Sequence, residues 1–205
     1  MSDYVCPESG YLCPETLNPD LIEFGKLKFD GKLKFDDRKK CFDIHYQPDD
    51  RTIIPFRFAF PVCISEKGVE IFLRNKSQFH IDLKIDEELK NFLSLTEEKI
   101  INHVISKSYE WYGKQKSFEG IKSLIRKRKT DEIRIDLDMS CYVKDSNDHC
   151  LDWKDNYNYE EILWNYEGMK CKVFVELSPV YLGPLGQIFW NWTAKIMKVF
   201  ERKLE

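Results

Sequence analysis

The C-terminal part of the chain interleaves aromatic and basic side chains. Residues 169–200 contain Tyr181, Phe189, Trp190 and Trp192 among several lysines, on two segments that alternate like strands around a Gly/Pro turn. Rings stack on bases and ammonium groups neutralise phosphates, so a surface for single-stranded nucleic acid requires this composition. A well-packed sheet with one solvated face has the same composition. The position of each ring on its strand must therefore decide between the two interpretations.

Alternation along the last strand assigns these rings to two faces. One set of alternate residues is mostly apolar and is predicted to face the core; it comprises Ile188, Trp190, Trp192, Ala194 and Ile196. The opposite parity places Phe189 and Lys195 on a mixed outer face. We therefore expect the tryptophans to pack inside. Phe189, with Tyr181 and Lys195, becomes the candidate for contact with a ligand.

The densest basic run follows a predicted short helix. It comprises Arg126, Lys127, Arg128 and Lys129. Cations at a helix C-terminus offset the negative end of the helix dipole, which is one interpretation of the run. The other is phosphate binding, because each neutralised phosphate releases a counterion. The sequence leaves both interpretations open.

A near-repeat forms the second basic segment. Phe24-Gly-Lys-Leu-Lys-Phe29 is followed by Gly31-Lys-Leu-Lys-Phe35 across an Asp30-Gly31 turn, which predicts a β-hairpin. Its lysines alternate with apolar residues and share the outer face; they are Lys26, Lys28, Lys32 and Lys34. Such a face is either solvated or in contact with phosphates.

Motifs for catalysis and for nucleotide or metal binding are absent from the sequence. There is no glycine-rich dinucleotide loop, no Walker lysine loop, no His-Glu-x-x-His and no Gly-x-Ser-x-Gly. Asp136 and Asp138 share a strand face and could bind Mg²⁺, but the same face holds Glu132 and Arg134, which favours a solvated surface. His103 lies beside the apolar stripe of a helix, as a packing residue does. We expect a protein that is not an enzyme and needs no cofactor or metal.

Composition limits the classes of partner and compartment. The 205 residues carry 32 Lys+Arg against 35 Asp+Glu, a net charge of −3 at pH 7, so affinity for nucleic acid must come from local patches. Seven cysteines without a Cys-x-x-Cys pair favour free thiols in a reducing compartment. No apolar run approaches the roughly 20 residues of a membrane-spanning helix, and the first residues do not resemble a signal peptide. We expect an intracellular protein without a membrane span.

The elements predict an α+β fold built on an antiparallel sheet. Strand-like alternation recurs along the chain, is clearest in residues 131–143, and has no β-α-β rhythm. A long helix is predicted to start at Thr96. With its prolines, the segment 1–20 cannot sustain a helix or an inner strand, and we expect it to be an irregular arm. Residues 21–205 are expected to form one domain with a helical insertion near 96–126.

Several segments of the C-terminal half together resemble a known family. They are the basic run, the Glu-Ile-Arg-Ile-x-Leu strand at 132–137, the Tyr-Glu-Glu-Ile-Leu helix at 159–163, the strand Cys-Lys-Val-Phe-Val-Glu-Leu at 171–177, and residues 180–199. Their order is similar to the C-terminal half of the single-stranded-DNA-binding proteins of nucleocytoplasmic large DNA viruses, of the African swine fever virus type. The N-terminal arm and hairpin have no counterpart in this resemblance.

The resemblance implies an OB-fold-like β-barrel core and a non-enzymatic viral protein that binds single-stranded DNA during DNA replication. It also implies a location in the host cytoplasm or nucleus, in the viral factory. We expect the DNA contacts to come from the basic run at 126–129, the lysines of the 26–34 hairpin, Lys195, Tyr181 and Phe189.

A structural virion component, such as a minor capsid or assembly protein of a large DNA virus, is the alternative function. The acidic net charge, the extended N-terminal arm and the free cysteines favour it. Its partners would be other virion proteins. Because fold does not determine function, a relative that kept the barrel for this role would have a similar sequence pattern.

Overall fold

The computed structural model describes seven segments of the chain: residues 5–6, 10–29, 40–71, 79–122, 131–151, 168–183 and 187–201. In these segments the chain forms two helices, α1 (Glu87–Tyr112) and α2 (Phe118–Lys122), and sixteen strands. The strands are β1 (Val5–Cys6), β2 (Tyr11–Leu12), β3 (Ile22–Phe24), β4 (Lys28–Phe29), β5 (Lys40–Phe42), β6 (Ile44–Asp49), β7 (Thr52–Pro55), β8 (Arg57–Ser65), β9 (Val69–Ile71), β10 (Phe79–Lys84), β11 (Glu132–Lys144), β12 (Cys150–Leu151), β13 (Met169–Leu177), β14 (Val180–Leu182), β15 (Ile188–Phe189) and β16 (Trp192–Glu201). The basic run at 126–129, Lys32, Lys34 and the predicted helix at 159–163 lie outside the described residues.

Five strands close into a barrel. β8, β13, β16, β11 and β10 pair in that order, and Lys84 on β10 pairs with Ile64 on β8, which completes the ring. In chain order, these strands are the first, fourth, fifth, third and second of the barrel. A five-stranded barrel is the architecture of the OB-fold, so the predicted barrel core is present.

One pair of barrel strands departs from the antiparallel prediction. β11 and β16 run parallel, whereas the other four pairs of the ring are antiparallel. Five strands cannot alternate in direction all the way around a closed ring, so at least one pair must be parallel. The barrel is therefore mixed, and the prediction of a purely antiparallel sheet is wrong.

A bulge in β16 changes which residues face the barrel interior. The partner of Val175 on β13 is Ala194, and the partner of the preceding Phe174 is Ile196. Lys195 is therefore an extra residue between two paired ones, which is the definition of a β-bulge. Beyond this bulge, the inward and outward parities of β16 are exchanged.

The burial of the β16 side chains agrees with this exchange of inward and outward positions. Trp190, Trp192 and Ala194 are buried before the bulge, which confirms the predicted core positions of both tryptophans. After the bulge, Met197 is buried and Ile196 is only partly buried. The predicted core position of Ile196 is therefore wrong, because strict alternation does not survive an inserted residue.

The long helix begins at Glu87 rather than at Thr96. The carboxylate of Asp86 accepts a hydrogen bond from the N–H of Leu89 at 2.8 Å and caps the first turn. Thr96 lies inside the helix, where its hydroxyl donates to the carbonyl of Phe92 at 3.0 Å. Neither helix of the described segments has the length and apolar character that crossing a membrane requires.

Aromatic side chains fill the barrel, and α1 packs against them. The ring of Phe92 on α1 packs against inward-facing rings, with centroids 4.5 Å from Phe58 and 5.9 Å from Trp192. Helix and barrel therefore share one hydrophobic core. The helix also packs against this core further along, where the ring of Trp111 lies 5.5 Å from that of Phe42 on β5.

Two small sheets accompany the barrel. One consists of β3, β6 and β7, and the other consists of β4, β5, β14 and β15. The predicted single strand at 24–29 is divided between them, with Phe24 in the first sheet and Lys28 in the second. The chain crosses at Gly25, whose N–H donates to the carbonyl of Asp43 at 2.9 Å. The second half of the predicted hairpin lies outside the described residues.

Short elements occupy the predicted N-terminal arm. β1 pairs with β2, and Leu12 on β2 pairs with Phe58 of the barrel. Single 3₁₀ turns begin at Pro14 and Pro19, where the fixed backbone angle of proline suits the first position of a turn. The division of the chain at residue 20 into an arm and one domain stays a prediction.

His103 lies in an aromatic cluster between α1 and the small sheets. Its ring stacks on Phe24 with centroids 4.1 Å apart and meets Phe42 and Trp111 edge-on at 5.1 and 5.6 Å. Its Nε2 is buried without a hydrogen-bond partner among the described residues. Burial lowers the pKa of His103, and the positive charge of Lys107 lowers it further. The cluster therefore favours the neutral imidazole.

Acid is expected to destabilise the protein through His103. Because the folded pKa of His103 lies below the unfolded value of about 6.5, the unfolded state binds more protons between these two values. The free energy of unfolding therefore falls as the pH drops through the unfolded pKa toward the folded one. Urea titrations between about pH 8 and 5 should show a weaker dependence in His103→Phe. Part of the dependence should remain, because burial also lowers the pKa of His80.

The reference for this prediction is the unchanged protein, titrated in the same buffers. An equally steep dependence in His103→Phe would show that the imidazole is not held neutral by the cluster.

Candidate nucleic-acid interface

A hairpin joins the fourth and fifth barrel strands, β13 and β16. β14 and β15 are its strands, and Ser178 and Asn191 close its base. The N–H of Ser178 donates to the carbonyl of Asn191, and the N–H of Asn191 donates to the hydroxyl of Ser178, both at 2.8 Å. Further out, the N–H of Gly183 donates to the carbonyl of Gln187 at 2.8 Å. These bonds fix the hairpin relative to the barrel.

Tyr181 and Phe189 form a stacked pair on this hairpin. They are directly opposite on β14 and β15, with ring centroids 5.5 Å apart and an angle of 11° between the planes. Phe189 is 38% exposed, and Tyr181 is partly exposed. An exposed ring face on a rigid element can stack on a nucleic-acid base. The structure thus brings together the two rings that sequence alternation selected.

The aromatic pair continues into a row across the small sheet. Tyr181 is opposite Cys41 on β5, and Cys41 is opposite Lys28 on β4. Directly opposite residues share a face, so these three side chains lie on the same side of the sheet as Phe189. Cys41 is buried, whereas Lys28 is exposed and forms an ion pair with Asp43. The row therefore runs from two rings to a surface cation.

The other predicted cations have separate positions. Lys26 is exposed between β3 and β4, two residues from Lys28. Lys195 is the extra residue of the β16 bulge and lies on the barrel wall. Because β15 ends at Phe189 and β16 begins at Trp192, the predicted continuous strand joining Phe189 and Lys195 is wrong. Arg126 to Lys129, Lys32 and Lys34 lie outside the described residues.

Lys40 is a contact that the sequence interpretation missed. It is opposite Leu182 on the face of the small sheet away from the aromatic pair. Its ammonium donates to the carbonyl of Trp111 at 3.4 Å, which ties the small sheet to the C-terminal end of α1. Lysine in an otherwise alternating strand gave no sign of this role, because the partner is a backbone group distant in sequence.

The outward face of β10 and β11 is a network of ion pairs. Arg134 donates to both carboxylate oxygens of Asp82 at 2.8 Å. Nε2 of His80 lies 3.6 Å from the carboxylate of Glu70. Since carboxylates balance the cations, this face offers phosphates little net positive charge.

Three side chains of this network have the geometry of metal ligands. Glu70, His80 and Asp82 each place one ligand-type atom within 4.8 Å of the others. The sequence did not indicate this group, because strand pairing brings β9 and β10 together. The guanidinium of Arg134 already holds both oxygens of Asp82, and its charge opposes a nearby cation. We therefore interpret the three residues as part of the ion-pair network.

Asp136, one of the two carboxylates considered for Mg²⁺, anchors the hairpin. Its carboxylate accepts a hydrogen bond from the side chain of Asn191 at the hairpin base. Burial raises the pKa of Asp136, while His80, Arg134 and the hydrogen bond oppose the rise. The side chain of Asp138 lies outside the described residues.

Comparisons with known proteins show similarity in fold. No protein-family model and no curated protein sequence matches the chain. The crystal structure of gp2.5, a single-stranded-DNA-binding protein encoded by bacteriophage T7, is similar with a TM-score of 0.51 and 13% identity, over 73% of this chain and 93% of that chain. The single-stranded-DNA-binding protein from bacteriophage Enc34 has a TM-score of 0.38 with 11% identity, over 85% of this chain and 89% of that chain. The C-terminal truncation of the Enc34 protein has a TM-score of 0.40 with 10% identity, over 87% of this chain and 96% of that chain. The fold assignment rests on the T7 protein, whose overall fold this chain shares.

Proposed function

We propose that the protein binds single-stranded DNA without sequence preference and that Tyr181 and Phe189 are its base-stacking platform. One observation carries this proposal: the stacked pair lies on a fixed hairpin between the fourth and fifth strands of a five-stranded barrel. In OB-folds, the loop at this position borders the surface that binds oligonucleotides. The T7 protein of similar fold is a single-stranded-DNA-binding protein, which supports the same function here.

The chemistry of the platform favours single strands over duplex. A ring can stack only on a base whose face is accessible, and the faces of duplex bases are covered by their neighbours. Lys28 lies on the same face of the small sheet as the rings, where a phosphate would replace Asp43 as its partner, and Lys26 is exposed two residues away. The basic run at 126–129 with Lys32 and Lys34 stays a predicted further source. No bond is broken in such binding, so the protein acts without catalysis or a cofactor.

Fluorescence anisotropy of a labelled oligodeoxythymidylate tests the proposal. We expect saturable binding at low salt and a logarithm of the binding constant that falls linearly with the logarithm of salt concentration. Unlabelled single strand should compete effectively, and a duplex of the same length should compete poorly. The proposal fails if no binding occurs at low salt, if the binding constant does not depend on salt concentration, or if duplex competes as well as single strand does.

A role in the DNA replication of a large DNA virus also stays a prediction, as does the location in a viral factory. The residue pattern of the C-terminal half supports both. If the protein instead co-sediments with purified virions at a fixed stoichiometry and has no affinity for nucleic acid, the alternative function of a structural virion component is supported.

A further inference from the structure

The barrel wall carries two adjacent rows of side chains that face away from the core. The first row consists of lysines directly opposite one another on β13, β16 and β11, namely Lys172, Lys198 and Lys144. The second row lies two residues away on the same strands and consists of Phe174, Ile196 and Tyr142. Alternate residues of a strand share a face, so the two rows lie side by side. We call them the lysine row and the apolar row.

The lysine row has little compensating negative charge in the described segments. The ammonium of Lys198 donates to the carboxylate of Asp148 at 2.8 Å. That hydrogen bond lowers the pKa of Asp148, and the charges of Lys198 and Lys144 lower it further. The ammonium of Lys172 lies 5.5 Å from the centroid of the Phe174 ring. Among the described residues, one turn brings two carboxylates to these three cations: Asp148 pairs with Lys198, and Asp145, hydrogen-bonded to backbone N–H groups within the turn, is close enough to raise the pKa of Asp148. The row thus keeps an excess of positive charge.

The apolar row is exposed at one end and covered by another side chain at the other end. Tyr142 on β11 is 59% exposed, and Ile196 beside it is partly exposed. Phe174 is covered by Tyr11 from the N-terminal segment, with ring centroids 5.4 Å apart in an edge-to-face arrangement. The accessible stacking position therefore lies at Tyr142, two residues along the strand from Lys144.

The lysine row is costly for a surface that serves only to stabilise the barrel. Like charges directly opposite one another destabilise a sheet, and adjacent strands are only about 4.8 Å apart. The face of β10 and β11 solves this problem by pairing Arg134 with Asp82 across strands. The lysine row lacks such alternation across three strands, which indicates that its counter-charge comes from a polyanionic ligand.

We propose that the lysine row and Tyr142 form a second contact surface for single-stranded DNA, with phosphates on Lys144 and Lys172, a base on Tyr142, and Lys198 held between the two lysines by Asp148. The inference rests on the proposed function and extends the contact from the hairpin to the barrel wall. About 20 Å of strand separates Lys198 from the hairpin base at Asn191, at roughly 3.3 Å per residue. A strand that occupies both surfaces therefore needs several nucleotides, within the 4 to 16 or so that one OB-fold binds.

The test uses a double variant, Lys144→Gln with Lys172→Gln, which leaves the Lys198–Asp148 pair intact. If both lysines contact phosphates, the salt slope for oligodeoxythymidylate should decrease by about 1.4, and affinity near 50 mM salt should fall by a factor on the order of tens. The matched control is Lys90→Gln with Lys99→Gln, which changes the net charge equally on α1, where each lysine is already paired with a carboxylate. The control should keep the slope and affinity of the unchanged protein.

Amine footprinting of the unchanged protein provides a second measurement that does not depend on a variant. Oligodeoxythymidylate should protect Lys144 and Lys172 from acetylation and leave Lys90 reactive. The proposal is overturned if neither lysine is protected, or if the double variant binds like the control. It is also overturned if polyglutamate protects the row and the oligonucleotide does not, because the site would then be one for an acidic protein.

Thermal unfolding separates a binding role from a structural one. Removing like charges from facing positions should leave the melting temperature of the double variant unchanged or raise it. A lower melting temperature would assign the lysines to stability and overturn the proposal. If Phe189→Ala weakens binding and the lysine variant does not, the proposed function stands and this inference fails. If the unchanged protein does not bind single strands, both fail.

Discussion

Replacing Phe189 with Ala is expected to weaken the binding of oligodeoxythymidylate by about fivefold to a hundredfold. Stacking of one base on an aromatic side chain contributes about 1–3 kcal/mol by alanine substitution. Each ring of the stacked pair has one face against the other, and Phe189 is the more exposed of the two, at 38%. The loss should persist at high salt, because stacking, unlike phosphate neutralisation, does not release counterions. Anisotropy titrations at two salt concentrations measure both features.

Two variants make the Phe189 prediction specific. Phe189→Tyr keeps a ring at the position and should retain most of the affinity. Tyr109→Ala removes a ring that is 70% exposed on α1 rather than on the hairpin, and it should leave binding unchanged. If Phe189→Ala and Tyr109→Ala bind equally well, base stacking at the hairpin is refuted.

The sequence predicted β11 well because its apolar residues alternate, whereas the edge position predicted from Pro55 and Pro61 is wrong for β8, which pairs with β13 inside the barrel. Ile133, Ile135 and Leu137 on β11 are all buried, as their spacing indicated. The alternation of residue types could not show how the barrel closes between β10 and β8. Closure depends on the register between Lys84 and Ile64, which are linked by backbone hydrogen bonds that leave no mark on residue type.

The same limit explains why the lysine row escaped the sequence interpretation. Lys198 has the parity of Trp192, so uninterrupted alternation places it in the core. The bulge at Lys195 reverses the facing of residues 196–199 of β16 and brings Lys198 to the outer face. Bulges arise from the fit between neighbouring strands, here with β11 as well as β13, and not from the local sequence of one strand.

The helix start was missed for a local reason that the sequence does contain. Asp86 followed by Glu87 and Glu88 is a capping residue with acidic residues in the first turn. Thr96 is also a common capping residue and competes with Asp86 as the predicted start of the helix. The apolar residues before Thr96, including Phe92, continue the helical spacing and favour the earlier start.

Trp192→Ala is expected to cost about 3–5 kcal/mol of the free energy of unfolding, the range for removing a large buried aromatic side chain. Trp192 is 1% exposed and lies among inward-facing rings of the barrel and the ring that docks α1. The centroids of these rings lie between 5.6 and 6.3 Å from Trp192, and the rings are Phe56, Phe58, Phe60 and Phe92. Since domains are stable by only about 5–15 kcal/mol, the cavity should remove a large share of the total. Urea denaturation followed by circular dichroism measures the loss.

Trp192→Phe separates the packing of Trp192 from its polar atom. The indole Nε1 is buried without a hydrogen-bond partner among the described residues, so replacing it removes an unsatisfied donor as well as some volume. We therefore expect this variant to lose less than about 1.5 kcal/mol, as near-conservative core substitutions do. Phe189→Ala, three residues earlier, removes a cross-strand aromatic pair and should cost about 0.5–1.5 kcal/mol, well below the loss in Trp192→Ala. A loss in Trp192→Phe as large as in Trp192→Ala would mean that Nε1 has an acceptor, and the barrel core would then be organised around a polar contact rather than around ring packing.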